Sequence, residues 1–212
     1  ATDERIAGGS GLSGQSYAVF PTQGGQAYGG GHAGVGVSVG TNGVSVFAHG
    51  DYLIESSLVY STNWTGWHHV AVVYQERQPH LYLDGALVRV GLVGPHAFHP
   101  SADLSSNTNS PNYGPFAGSV TDLRVWNYPR SPDEIRINRD QRMTGGEVGL
   151  AGLWRFEENQ GTAVVDASNA GNNGTLVGGA TWTDDAPARA PAPRYLVLVE
   201  NDDASLGGLP VS

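Results

Sequence analysis

From Val35 onward the chain alternates valine with small or polar residues, "VGVSVGTNGVSVFAHG", on both sides of Thr41-Asn42-Gly43. Alternation of period two puts one set of side chains on each face of a strand, and Asn-Gly favours the tight turn that joins two of them. The stretch therefore predicts a β-hairpin. The same pattern predicts strands at Ser57 to Tyr60, Trp67 to Gln75 and His80 to Leu83. Glu76-Arg77-Gln78-Pro79 turns between the last two, and Asp84-Gly85 turns into Ala86 to Val90, completing a three-stranded meander. Upstream, the first 34 residues are glycine-rich around one apolar run, Tyr17-Ala18-Val19-Phe20.

Further on the pattern breaks. Pro95 to Pro115 reads as a long polar loop, a class of segment that is functional or mobile in compact domains. "FAGSVTDLRVWN" returns to strand, and "SPDEIRINRD" predicts the one short helix of the chain. There Ser131 is the N-cap, Pro132 takes the first helical position, and Asp133 and Glu134 favour the positive end. "GLAGLWRFEENQG" is a strand followed by the turn-rich "DASNAGNNG". The expected organisation is a sandwich over 1–186, a Pro/Ala linker over 187–194, and a C-terminal strand and tail over 195–212.

Composition agrees with an all-β domain: 31 glycines and 12 prolines punctuate short apolar runs, and five tryptophans and nine tyrosines supply core material. The formal charge is −9 and every basic residue is arginine. No basic stripe is present to neutralise phosphates, which excludes a nucleic-acid partner. Without cysteine, disulfides, thiolate zinc sites and thiol catalysis are excluded. No apolar run reaches the 18 residues or so that a membrane span needs.

Three segments in order, "GWHHVAVVY…LYLDGALV", "GSVTDLRVWNYPRSPDEI" and "GLWRFEENQGTAVVDASNAGNNGTL", resemble laminin-G-like and pentraxin-like domains of the concanavalin A-like group. The resemblance implies an antiparallel two-sheet jelly roll, with recognition of glycans or protein partners through edge loops, often assisted by calcium. Domains of that group begin with strands that precede the matched part, so the opening strands are expected to be missing or supplied from elsewhere. The loop before "GSVTDL" carries Asp103, Asn107, Asn109 and Asn112 in place of the acidic cluster of pentraxins.

The candidate sites divide by geometry. Adjacent strand residues point to opposite faces, so His68 and His69 diverge and are expected to be structural. His96, His99 and Asp103 form a looser set that fits a solvated loop better than a metal site. Calcium, which takes six to eight oxygens, has two candidate loops: Asp103, Asn107, Asn109 and Asn112, and Asp166 with Asn169, Asn172 and Asn173. Turn chemistry explains the same residues. Asp122 and Arg124 share a strand face and are expected to pair. Trp64, Tyr113 and Tyr128 are the aromatic candidates for ligand contact. Glu157 and Glu158 diverge on a strand and do not make an acid–base pair.

The sequence thus predicts a non-catalytic binding or adhesion module, extracellular or on the cell surface, recognising glycans or a surface protein with calcium as the candidate cation. A second reading is a structural subunit of a surface fibre or layer, joined to neighbouring copies by strand exchange through the C-terminal segment. A third is an accessory domain of a glycosidase.

Overall fold

The computed structural model describes residues 11–12, 14–104, 116, 118–185 and 187. Its first sheet is a meander of β2 (His32–Gly40), β3 (Gly43–His49) and β4 (Ile54–Ser61), turning at Thr41-Asn42 as the alternation predicts. Two strands share the other edge of β2. Strand β1 (Ser16–Val19) runs antiparallel to its end at Val37–Val39, and β8 (Ala97–Pro100) runs parallel to its beginning at His32–Val35.

A second, three-stranded sheet faces the first: β5 (Val70–Gln75), β6 (Gln78–Leu83) and β7 (Ala86–Val90). Val35, Val44, Val46 and Leu58 from the first sheet meet Leu81 and Leu83 from the second, with Val70, Val72, Tyr74 and Phe98 packed around them. This is the sandwich core. Removing the fully buried Leu81 side chain from it would cost roughly 2–5 kcal/mol.

The opposite face of the second sheet is also covered. Ala71, Val73 and Tyr82 pack on Ile135 of α2 (Pro132–Asn138). That helix starts as predicted, with a complete capping box: the Ser131 hydroxyl accepts from Glu134 N, and the Glu134 carboxylate accepts from Ser131 N. Beyond lie the pair β9 (Leu123–Trp126) and β10 (Leu150–Trp154), and the short pair β11 (Ala163–Val164) and β12 (Gly174–Thr175).

Three expectations need correction. A second helix exists, α1 (Gly24–Tyr28), although its sequence Gly-Gly-Gln-Ala-Tyr has little helix propensity. Tertiary contacts impose it: Gly25 N donates to Gly50 O, the Gln23 amide donates to Asp51 O, and Gly24 lies against the β2 backbone. The stretch Pro95 to Pro115 is not loop throughout, since Ala97–Pro100 forms β8. Its side chains are only half covered, but a parallel ladder to β2 satisfies its backbone. Finally, β5 begins at Val70 and not Trp67, because the Asp84 carboxylate accepts from His69 N and takes the place of a ladder bond. The expected strand at residues 195–199 lies outside the described residues.

Candidate functional site

An open groove of about 410 Å³ runs between the first sheet and the β9–β10 pair. One wall comes from Thr22, Tyr28 and the segment Pro100-Ser101-Ala102. Val125, Ala151, Trp154 and Asn172-Asn173-Gly174 form the other. Among the described residues no carboxylate, imidazole or guanidinium lines it, although the chain as a whole is acidic.

The first wall is held by the parallel ladder. Ser101 N continues that ladder to Val35 O at 3.2 Å, and the hydroxyls of Ser101 and Thr22 share a hydrogen bond of 2.9 Å. Gly34 of β2 lets the Thr22 carbonyl lie directly on the sheet, in the space a Cβ would fill. Tyr28 ends α1 with its ring stacked on His99 of β8, centroids 3.9 Å apart, yet 47% of the residue remains exposed. His99 Nε2 in turn meets His32 Nδ1 at 2.8 Å. Desolvation, and then the nearby His32, hold His99 below the usual histidine range.

The second wall hangs on Asp166. This residue is 5% exposed, and its carboxylate accepts from Leu153 N (2.8 Å), Ser168 N (2.9 Å) and Asn172 N (2.8 Å). Burial works against its charge, but those bonds more than offset it and hold the carboxyl below the ordinary aspartate value. Asp166 N donates to Asn173 Oδ1 at 2.9 Å, and Trp154 Nε1 donates to Asn172 O at 2.8 Å. Asn173 is left with its Nδ2 to offer, and Asn172 with its Oδ1.

The predicted residues fall elsewhere. Trp64 is half-buried, its Nε1 donating to Gly40 O at 2.5 Å and its ring stacked on His68 at 4.6 Å. Tyr128 donates its hydroxyl to Glu134 Oε1 and accepts from Arg130, beside Trp126. Tyr113, Asn107, Asn109 and Asn112 lie outside the described residues. Asp103 bridges to Phe20 through its backbone.

His68 and His69 precede β5 and make separate contacts. His68 Nδ1 meets Asp84 Oδ2 at 2.8 Å, while His69 is held below the usual histidine range by burial and then by Arg124. Asp122 pairs with Arg124. His96 and His99 do not converge: His99 stacks on Tyr28, and His96 lies against Gly50 and Phe98. Among the described residues no group of three or more His, Cys, Asp and Glu side chains is arranged to hold a metal. In the Asp166 loop, backbone N–H groups bond to both carboxylate oxygens, the turn chemistry expected of those residues.

Sequence reasoning missed Tyr28, which sits in a glycine-rich run without periodicity, and Trp154, which reads as core. It singled out Asn172 and Asn173, but for a cation.

A family model described as the concanavalin A-like lectin/glucanases superfamily matches residues 12–136. The second wall of the groove lies almost entirely beyond that match. No curated protein is significantly similar to the chain. Among solved structures, a candidate carbohydrate binding protein from Bacteroides ovatus is 16% identical with a TM-score of 0.50, over 82% of this chain and 48% of that one. The chain thus spans about half the length of that relative, and the likeness speaks for the fold. An S-layer domain-containing protein from Clostridium thermocellum, also 16% identical over 65% of this chain and 66% of that one, has a TM-score of 0.27, too low to carry an argument. With the family model matched over more than half of its residues, the chain belongs to the concanavalin A-like lectin/glucanase superfamily.

Proposed function

We propose that the chain is a non-catalytic glycan-binding module of an extracellular or cell-surface protein, and that it holds uncharged sugar in the groove between Tyr28 and Asn173. The observation that carries this reading is the groove's lining: an exposed aromatic face, hydroxyls and amides, with no ionic side chain among the described residues. Aromatic faces cover the apolar faces of sugar rings, and amide and hydroxyl groups pair with their hydroxyls. The likeness to the Bacteroides ovatus protein agrees with it. Glycoside hydrolysis takes two carboxylates flanking the bond, and the described residues of this groove supply none, which supports a role without catalysis. An acidic surface without lysine disfavours sulfated or uronic chains. Calcium remains part of the proposal only at Asp103 and the asparagines at 107, 109 and 112.

The test is a panel of neutral and acidic glycans, with and without chelator, against the wild type, Tyr28→Ala and Asn173→Ala. Neutral glycans should bind, and each substitution should weaken binding about tenfold, the loss of one stacking or hydrogen-bonding contact. Unchanged affinity in both variants would place the ligand elsewhere, and no binding to any glycan would remove the function. Chelation lowers affinity only if the cation takes part.

A further inference from the structure

Strand β8 is held to the first sheet along one edge. Among the described residues it pairs with β2 alone, over four residues, and its side chains are half-buried or exposed. Short, thinly covered strands of this kind open at lower free energy than core strands. A side-chain bond reinforces the ladder, between His99 Nε2 of β8 and His32 Nδ1 of β2 at 2.8 Å. The two imidazoles meet end to end through those nitrogens, with ring centroids 5.0 Å apart. A bond between two ring nitrogens holds one proton, donated by one ring and accepted by the other. The pair can therefore gain a first charge at an outward nitrogen and keep the bond. A second charge cannot be accommodated. Both facing nitrogens would then be N–H donors, and two positive rings would lie side by side.

The surroundings do little to balance that second charge. From α1 the facing group is Tyr28, whose ring lies 3.9 Å from His99 and 6.4 Å from His32. From β3, His49 sits across Gly34 from His99, with its Nδ1 against Pro21 O at 3.0 Å. Asp51 lies against Gly25, one helical turn before Tyr28, and His96 lies against Gly50. Asp103, beyond β8, bridges to Phe20 through its backbone. Among the described residues no carboxylate bonds to either ring of the pair. Desolvation and the charge of His32 hold His99 below the ordinary value of 6.5. Its neutral form thus supports the fold fully above that value, and the support is lost as the pH falls through the folded one.

The bond also carries the first wall of the groove. Tyr28 stands on His99, and Ser101 continues the same ladder two residues later. We propose that His32 and His99 form an acid-sensitive latch: when both rings carry a proton, β8 parts from β2 and the wall made by Tyr28 and Ser101 comes loose. The latch belongs to the fold itself; that acid also releases a bound sugar rests on the groove being the glycan site.

His32→Asn tests it. The amide can donate to a neutral His99 or accept from a charged one, and it never takes a charge. In wild-type amide exchange, the protection factors of Ala97 and Ser101, which bond to Gly31 O and Val35 O, should fall about tenfold between about pH 7.5 and about pH 5. Those of β3 should hold, and His32→Asn should show no fall at Ala97 and Ser101. Unchanged protection in the wild type would overturn the proposal. So would an equal fall in His32→Asn, which would assign the response to other titrating groups. Should His32→Asn lose β3 protection even at about pH 7.5, His99→Gln, which also leaves His32 an uncharged partner, takes its place with the same expected result. Neutral-glycan affinity at both pH values separates the two readings. A loss of about tenfold in acid, absent from His32→Asn, extends the latch to binding. Absence of binding at either pH removes the glycan site, and the exchange result still decides the latch.

Discussion

Replacing Asp166 with asparagine tests whether one buried carboxylate builds the second wall of the groove. The wild-type side chain accepts three backbone N–H groups at 2.8–2.9 Å, two on Oδ1 and one on Oδ2. A hydrogen bond to a charged group is worth about 1.5–3 kcal/mol net, but bonds sharing one acceptor group do not add fully. The substituted side chain would keep one accepting oxygen and turn an NH2 group toward a backbone N–H, leaving a donor facing a donor. The loss should be about 3 kcal/mol, or a Tm lower by about 6–12 °C for a chain of this size. The pH dependence supplies a second reading. The folded carboxyl sits below the ordinary value, so its contribution is complete above the unfolded pKa, near 3.9, and is lost as pH falls through the folded one. Thermal melts of wild type and Asp166→Asn should therefore diverge most at neutral pH and converge as the pH falls through the folded carboxyl's lowered range. A Tm gap under about 2 °C at pH 7, or one that does not narrow in acid, would refute the reasoning.

Other consequences are simpler to read. Glu76 and Arg77 form the two-residue turn between β5 and β6 with φ of 49° and 65°, a left-handed conformation that side chains resist. Glu76→Asn with Arg77→Gly should therefore stabilise the fold by about 1 kcal/mol, seen as a Tm rise of about 2–4 °C. Gly34→Ala drives a methyl into the Thr22 carbonyl, which is backbone and cannot swing away. It should cost about 2 kcal/mol in denaturant unfolding and loosen the first wall of the groove. Ser131→Ala breaks the capping box and should cost about 1 kcal/mol, measured in the same way.

How far the sequence foretold this molecule depended on how local each signal was. The hairpin about Asn42-Gly43 and the helix start at Ser131 were legible because each rests on residues a few positions apart, whose preferences agree with the fold. The separation of His68 and His69 was read from the strand period, but β5 begins only at Val70, and Asp84 holds the His68 ring and the His69 backbone instead. By contrast, α1 defies its own composition and exists because Gly24 and Gly25 allow close contact with β2 and with Gly50 and Asp51. In the same way, β8 carries His and Pro in place of an alternating apolar set, and only its distant partner β2 makes it a strand. The groove was illegible for the same reason. Its walls come from segments near residues 22–28, 100–102 and 151–174, none of which carries a binding motif. Trp64 and Tyr128 stand out in sequence because they are aromatic in turns, and both use their polar atoms within the fold.

The parallel pairing of β8 with β2 also bears on the order in which the molecule assembles. The hairpins β2–β3–β4 and β5–β6–β7 join neighbours in sequence and can close quickly, whereas His32 and His99 are 67 residues apart. Closing so long a loop early is entropically unfavourable, and the intervening meander shortens the effective path once formed. The ladder that seats Tyr28 on His99 is thus expected to zip late in refolding. A tyrosine or histidine probe at that junction should report a slower phase than one in the β3 core.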